Sequence, residues 1–128
     1  FLKDEGVGKP LYWGLTAEGA QPDWHDLWPE ENRRTRIPFG QWTDLEIAYR
    51  RGKGEEGRFL LTMQPTGEAR QIVFDVRRDM EHPVAPMPLR SFQLWKLYTS
   101  KTVVDWMRDN HAPISAYYDD FVWRGPSE

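Results

Sequence analysis

The sequence predicts an all-β fold: an antiparallel jelly roll or β-sandwich with one short helix before its last strand. Three observations carry this. Apolar and polar residues alternate with period two over several stretches, the mark of half-buried strands. Glycine and proline turn signals separate those stretches at fairly regular spacing. The chain has 128 residues, of which 39% are apolar, which suits one domain over residues 1–128 with one core.

The elements follow in chain order. Residues 11–18 (Leu-Tyr-Trp-Gly-Leu-Thr-Ala-Glu) read as a first strand. Residues 19–36 hold a glycine, two prolines, and clustered acids and arginines, and read as a long excursion. From Trp42 the alternation is clean: Thr43, Leu45, Ile47 and Tyr49 fall on one side, Trp42, Asp44, Glu46 and Ala48 on the other. Gly52 to Gly57 make a turn, because glycine supplies positive φ. Arg58 to Gln64 return with Phe59, Leu61 and Met63 inward. Pro65-Thr66-Gly67 turn again, and Arg70 to Arg77 form a third strand with Ile72, Phe74 and Val76 on one face. These three strands are a meander.

The three prolines of His82 to Pro88 bar a central strand and predict a crossing loop. Phe92 to Thr99 reads as a further strand. Val103, Trp106, Met107 and Asn110 fall at helical spacing, so Lys101 to Asn110 is predicted as a short helix, capped by Ser100 or Thr102 and ended by Pro113. Ile114 to Trp123 is the expected closing strand.

Composition excludes several classes. There is no cysteine, which removes disulfides, thiolate catalysis and Cys-ligated zinc. No apolar run approaches the ~20 residues of a membrane-spanning helix, so membrane insertion is not expected. Net charge is −3 with acids and bases interspersed, so nucleic acid is not the expected partner. The start, Phe1-Leu2-Lys3-Asp4-Glu5, lacks a signal-peptide layout. The glycines at 52, 54 and 57 lead into a strand, not a helix, so they are no phosphate loop. The distinctive number is seven tryptophans, whose flat faces stack on sugar rings as well as on protein.

Two stretches carry a family resemblance. One is Ile37-Pro-Phe-Gly-Gln-Trp-Thr-Asp-Leu-Glu-Ile with the glycine-rich turn and Gly57-Arg58-Phe59; the other is Tyr117-Tyr118-Asp119-Asp120-Phe121. Together they resemble the later half of concanavalin A-like jelly rolls, as found in polysaccharide lyases, glucanases and laminin-G-like lectin modules. The resemblance covers roughly residues 37–123. It implies a secreted or periplasmic carbohydrate-handling protein. The glucanase pattern Glu-x-Asp-x-x-Glu and the lyase pattern Tyr-x-Lys-x-Gly-x-Tyr are both absent, so no catalytic residue carries over.

Candidate chemistry comes from the residues themselves. Asp44 and Glu46 project from one strand face with Cα atoms ~7 Å apart, a reach at which two carboxylates can act on a glycosidic bond; an ordinary charged solvent face is the plainer reading. His25, between tryptophans and carboxylates, is the histidine best placed to join them as a general base. If the protein is an enzyme, it is a polysaccharide lyase or glycoside hydrolase. Trp24, Trp28, Trp42, Arg58 and Trp95 are the expected carbohydrate contacts: Trp42 and Arg58 on an outer face with Asp44, Glu46, Thr62, Gln64, Gln71 and Arg77, which Gln93 and Trp95 can join, and Trp24 and Trp28 in the 19–36 excursion. Asp119 and Asp120 point to opposite faces of a strand, and the inward one needs an arginine, an indole N–H or calcium as partner. Jelly-roll sugar-binding modules often hold a structural calcium, and no other cofactor is required. The expected partner is a polysaccharide or oligosaccharide. The alternative is a structural or adhesion module that binds another protein.

Overall fold

The computed structural model describes residues 2–3, 9–18, 26–80, 101–111 and 117–125. The expected crossing loop at 82–88 and strand at 92–99 lie outside them. The chain divides into two units, Phe1–Leu94 and Trp95–Glu128.

Among the described residues, the first unit forms two small antiparallel sheets. One runs in the order β1 (Leu2–Lys3), β2 (Tyr12–Glu18), β3 (Asp26–Asn32). The other is the expected meander: β4 (Thr43–Arg50), β5 (Arg58–Pro65), β6 (Gln71–Arg77). A short 3-10 turn at Gly54–Glu56 lies between β4 and β5.

β3 falls inside the stretch expected to be an excursion. Its acids and Pro29 hide the strand pattern. Proline is nonetheless allowed there, because β3 is an edge of its sheet among the described residues, where one missing N–H costs no ladder bond on the side away from β2. The register sets Trp13 opposite Asn32, Leu15 opposite Glu30 and Ala17 opposite Trp28, so these six share one face.

That face meets the inner face of the meander. Trp28, Met63, Val73, Phe74 and Val76 form the buried cluster, and Trp13, Leu15, Ala17, Leu27, Phe59, Leu61 and Met80 pack around it. Asn32 ties the sheets together: its amide donates to the Val73 carbonyl at 2.7 Å and to Thr35 Oγ1 at 2.8 Å. Its own oxygen accepts from the backbone N–H groups of Arg34 and Thr35.

A β-bulge changes the expected facing of β6. Leu61 sits opposite Phe74, yet Thr62 sits opposite Ile72, so Val73 is an extra residue. Val73 and Phe74 are therefore both buried, while Ile72, expected inward, is 61% exposed on the outer face. Gln71, expected outward, pairs with the fully buried Met63 instead.

β4 also departs from expectation. Its apolar side chains share the inner side, but Leu45, Ile47 and Tyr49 remain exposed. The first sheet covers β5 and β6 and stops short of β4.

In the second unit, α1 (Lys101–Asp109) forms where helical spacing predicts it. Asp105 braces it by pairing with Lys101 four residues before and Arg108 three after. The end is capped by Asn110, whose N–H and side-chain amide both donate to the Trp106 carbonyl, and His111 takes a left-handed φ of 50°. The expected closing strand is not formed over Tyr117–Trp123. Asp120 has φ 51°, which no strand can run through.

Candidate functional site

The outer face of the meander gathers Asp44, Glu46, Arg58, Gln64 and Arg77 as the alternation predicts, while the bulge turns Gln71 off it and Thr62 is buried. Asp44 stands opposite Gln64, Glu46 opposite Thr62, and Arg50 opposite Arg58. At the near end of β4, Trp42 is 61% exposed, and Phe39 in the preceding turn is 63% exposed.

This end is held firmly. Gly40 takes φ 73°, which lets the chain turn between the two aromatic residues. The Trp42 carbonyl then accepts two bonds from Thr66, its N–H at 3.0 Å and its hydroxyl at 3.1 Å. Gln41 donates to the Glu68 carboxylate, and Gln64 donates to the Glu68 carbonyl. The Phe39–Trp42 segment is thus cross-linked to the β5–β6 turn, and Trp42 projects from fixed backbone. Amides, a free carboxylate and the Glu46–Arg70 ion pair lie along the same face.

Further along the face, Arg58 grips Asp75 with two parallel bonds, Nε to Oδ1 at 2.7 Å and Nη2 to Oδ2 at 2.9 Å. The hydrogen bond from Arg58, followed by its charge and that of Arg77, holds the Asp75 carboxyl below the usual carboxylate range. A carboxyl whose folded pKa is lowered stabilises the fold above its unfolded pKa, ~3.9, and loses that contribution as pH falls through the folded value. The stability gap between the native protein and Asp75→Asn is therefore expected to be constant above about pH 5 and to close at the acid end. Urea midpoints measured across that range check this; a gap that widens on acidification would contradict the pairing.

The remaining expected contacts are distributed differently. Trp28 is in the core at 8% exposure, and its Nε1 donates to the Asp79 carbonyl at 3.0 Å. Arg58 is occupied by Asp75. Trp24, His25 and Trp95 lie outside the described residues. Asp44 and Glu46 do share a face, but Glu46 is held by Arg70, and no acid–base set is assembled among the described residues. Asp119 and Asp120 are exposed, and Asp119 Oδ1 accepts the Asp120 N–H at 2.8 Å. Among the described residues no group of three His, Cys, Asp or Glu stands ready for a metal.

An open cleft of about 430 Å³ lies at the opposite end of the meander, lined by Leu27, Trp28, Gly54, Glu55, Arg77, Arg78 and Asp79. Two of its four charged side chains are engaged: Arg78 pairs with Glu30, and the Asp79 carboxylate accepts the Gly54 N–H. Trp28 offers little ring there. The Trp42 end is the better site.

No family model, curated protein or solved structure matches this chain. Function is therefore argued from geometry alone.

The sequence already singled out Trp42, Asp44, Glu46 and Gln64. It missed Phe39, Glu68 and Arg70. The signal for Phe39 was the pair of aromatic residues flanking Gly40; Glu68 and Arg70 join only through cross-strand register.

Proposed function

We propose that this protein is a glycan-binding β-sandwich module of the jelly-roll kind, with the sugar held at the Trp42 end of the outer face. Exposed Trp42 carries the reading. Indole packs on the apolar face of a pyranose, while neighbouring amides and carboxylates bond the hydroxyls. Asp44 and Gln64 supply those polar groups from adjacent strands. Phe39 offers a second ring. A platform on cross-linked backbone loses little entropy on binding.

The test is retention on affinity gels containing neutral and acidic polysaccharides. The native protein is expected to be retarded by at least one polymer, with a change in tryptophan fluorescence. Trp42→Ala is expected to abolish retardation and to leave stability within about 0.5 kcal/mol, as for other exposed sites. No retardation of the native protein by any polymer would sink the reading. So would full binding by Trp42→Ala.

A further inference from the structure

We infer that Arg50, Arg58 and Arg77 form a binding site for a tetrahedral dianion, phosphate as the free ion or as a monoester. The three residues stand directly opposite one another across β4, β5 and β6: Arg50 faces Arg58, and Arg58 faces Arg77. Cross-strand partners project from one face. The three side chains therefore make a row on the outer face, about 10 Å from end to end at the ~4.8 Å spacing of neighbouring strands. Like charges directly opposed are destabilising. Three cations in a row are costly unless anions balance them.

The chain brings one carboxylate to the row. Asp75 takes both parallel bonds from Arg58, and the charge of Arg77 acts on the same carboxyl. Arg50 bonds to backbone instead: its Nε donates to the neutral Glu56 carbonyl at 2.6 Å. Arg77 has no hydrogen bond or ion pair among the described residues, and Glu55, which lines the same cleft, does not pair with it. Three guanidinium groups and one carboxylate leave two positive charges in excess.

The donors left over select the ligand. Arg58 commits Nε and Nη2 to Asp75 and keeps Nη1. Arg50 commits Nε and keeps both Nη groups. Arg77 keeps its whole fork. Two of the three guanidinium groups are thus held by their own bonds before a ligand arrives, which lowers the ordering cost of binding. A second carboxylate would bring one charge and two oxygens. A phosphate monoester brings nearly two charges at pH 7 and three strong acceptor oxygens, enough to neutralise the excess and to bridge guanidinium groups on adjacent strands. Arg77 also lines the open cleft of about 430 Å³ beside Leu27 and Trp28, which gives the organic part of an ester room. The row lies at the opposite end of β4 from Trp42, so it does not depend on sugar stacking there.

The experiment is calorimetric titration of the native chain with inorganic phosphate and, separately, with glucose 6-phosphate, at ionic strength held constant with chloride. Saturable binding is expected. Tighter binding of the sugar phosphate identifies an ester as the ligand, tighter binding of inorganic phosphate identifies the free ion, and either supports the site. Arg50→Gln and Arg77→Gln, both at exposed positions, are each expected to weaken binding about tenfold. Arg58 is left in place because it holds Asp75. In chloride alone both variants are expected to melt no lower than the native protein, since each relieves a like-charge contact. Trp42→Ala is expected to bind phosphate as the native protein does. Absence of saturable binding in both titrations overturns the inference. So does native-like binding by both arginine variants, loss of phosphate binding in Trp42→Ala, or acetate that competes as well as phosphate.

Discussion

Gly57→Ala is expected to destabilise the protein by about 3 kcal/mol, the upper end of what overpacking a well-filled site costs. The reason is space, not backbone angle. Gly57 has φ −70° and ψ 137°, values any residue adopts. A Cβ there would run into the Arg78 carbonyl and come within 2.8 Å of both the Gly52 oxygen and Met80 Cγ. Two of these obstacles are backbone and cannot swing aside. The chain from Arg78 to Met80 is laid against this turn: Arg78 N–H donates to Gly57 and Met80 N–H donates to Gly52. That segment also presents the Asp79 carbonyl to Trp28 and the Met80 carbonyl to the Tyr49 hydroxyl. Displacing it therefore loosens the core as well as the turn. Gly67→Ala makes the contrast. Its φ is 80° but nothing lies within 4 Å, so only the left-handed backbone penalty of about 1–2 kcal/mol applies. Urea unfolding of both variants decides the matter. Equal losses would mean that residues 78–80 do not pack on the turn.

The meander was legible because each strand shows clean alternation between strong turn signals, and alternation is a direct consequence of the pleat. Thr43 to Tyr49 and Phe59 to Met63 share the face their spacing assigns. Two features were not legible there. The bulge at Val73 has no glycine or proline to mark it, so Ile72 carries the wrong face in any period-two reading. Alternation also says which side chains share a side, not whether anything covers it; Leu45 and Ile47 sit on the core side and still meet solvent. β3 was hidden for another reason. Its inner face is Trp28, Glu30 and Asn32, of which only Trp28 is apolar, and Pro29 argues against a strand unless its edge position is known. Of the site, Trp42 was readable from strand phase. Its fixation by Thr66 and Glu68 depends on register between strands, which no local pattern specifies.

Trp28 gives the sharpest test of core against surface. The sequence grouped it with Trp42 as a sugar contact, while the fold sets the two in opposite circumstances: 8% exposed against 61%. Trp28→Ala is expected to cost about 3–5 kcal/mol, the range for removing a buried aromatic side chain. The ring sits in the cluster with Met63, Val73, Phe74 and Val76, on the seam between the sheets. Against a typical total stability of about 5–15 kcal/mol, such a loss leaves a small domain near unfolding. Trp28→Phe separates the contributions. It keeps most of the buried ring but removes the Nε1 bond to the Asp79 carbonyl, and should cost about 1–3 kcal/mol from leaving that acceptor unpaired. Arg78, whose guanidinium carbon lies 5.8 Å from the indole centroid, would lose its better aromatic partner in the same variant. Denaturant midpoints of the two variants are thus expected to fall in the order native, Phe, Ala. Paired with Trp42→Ala, they form a crossed test: Trp28 should move stability through packing, and Trp42 should move glycan retention without it. If Trp28→Ala melts like the native protein and loses retention, then Trp28 is a ligand contact and the seam between the sheets is not where the core lies.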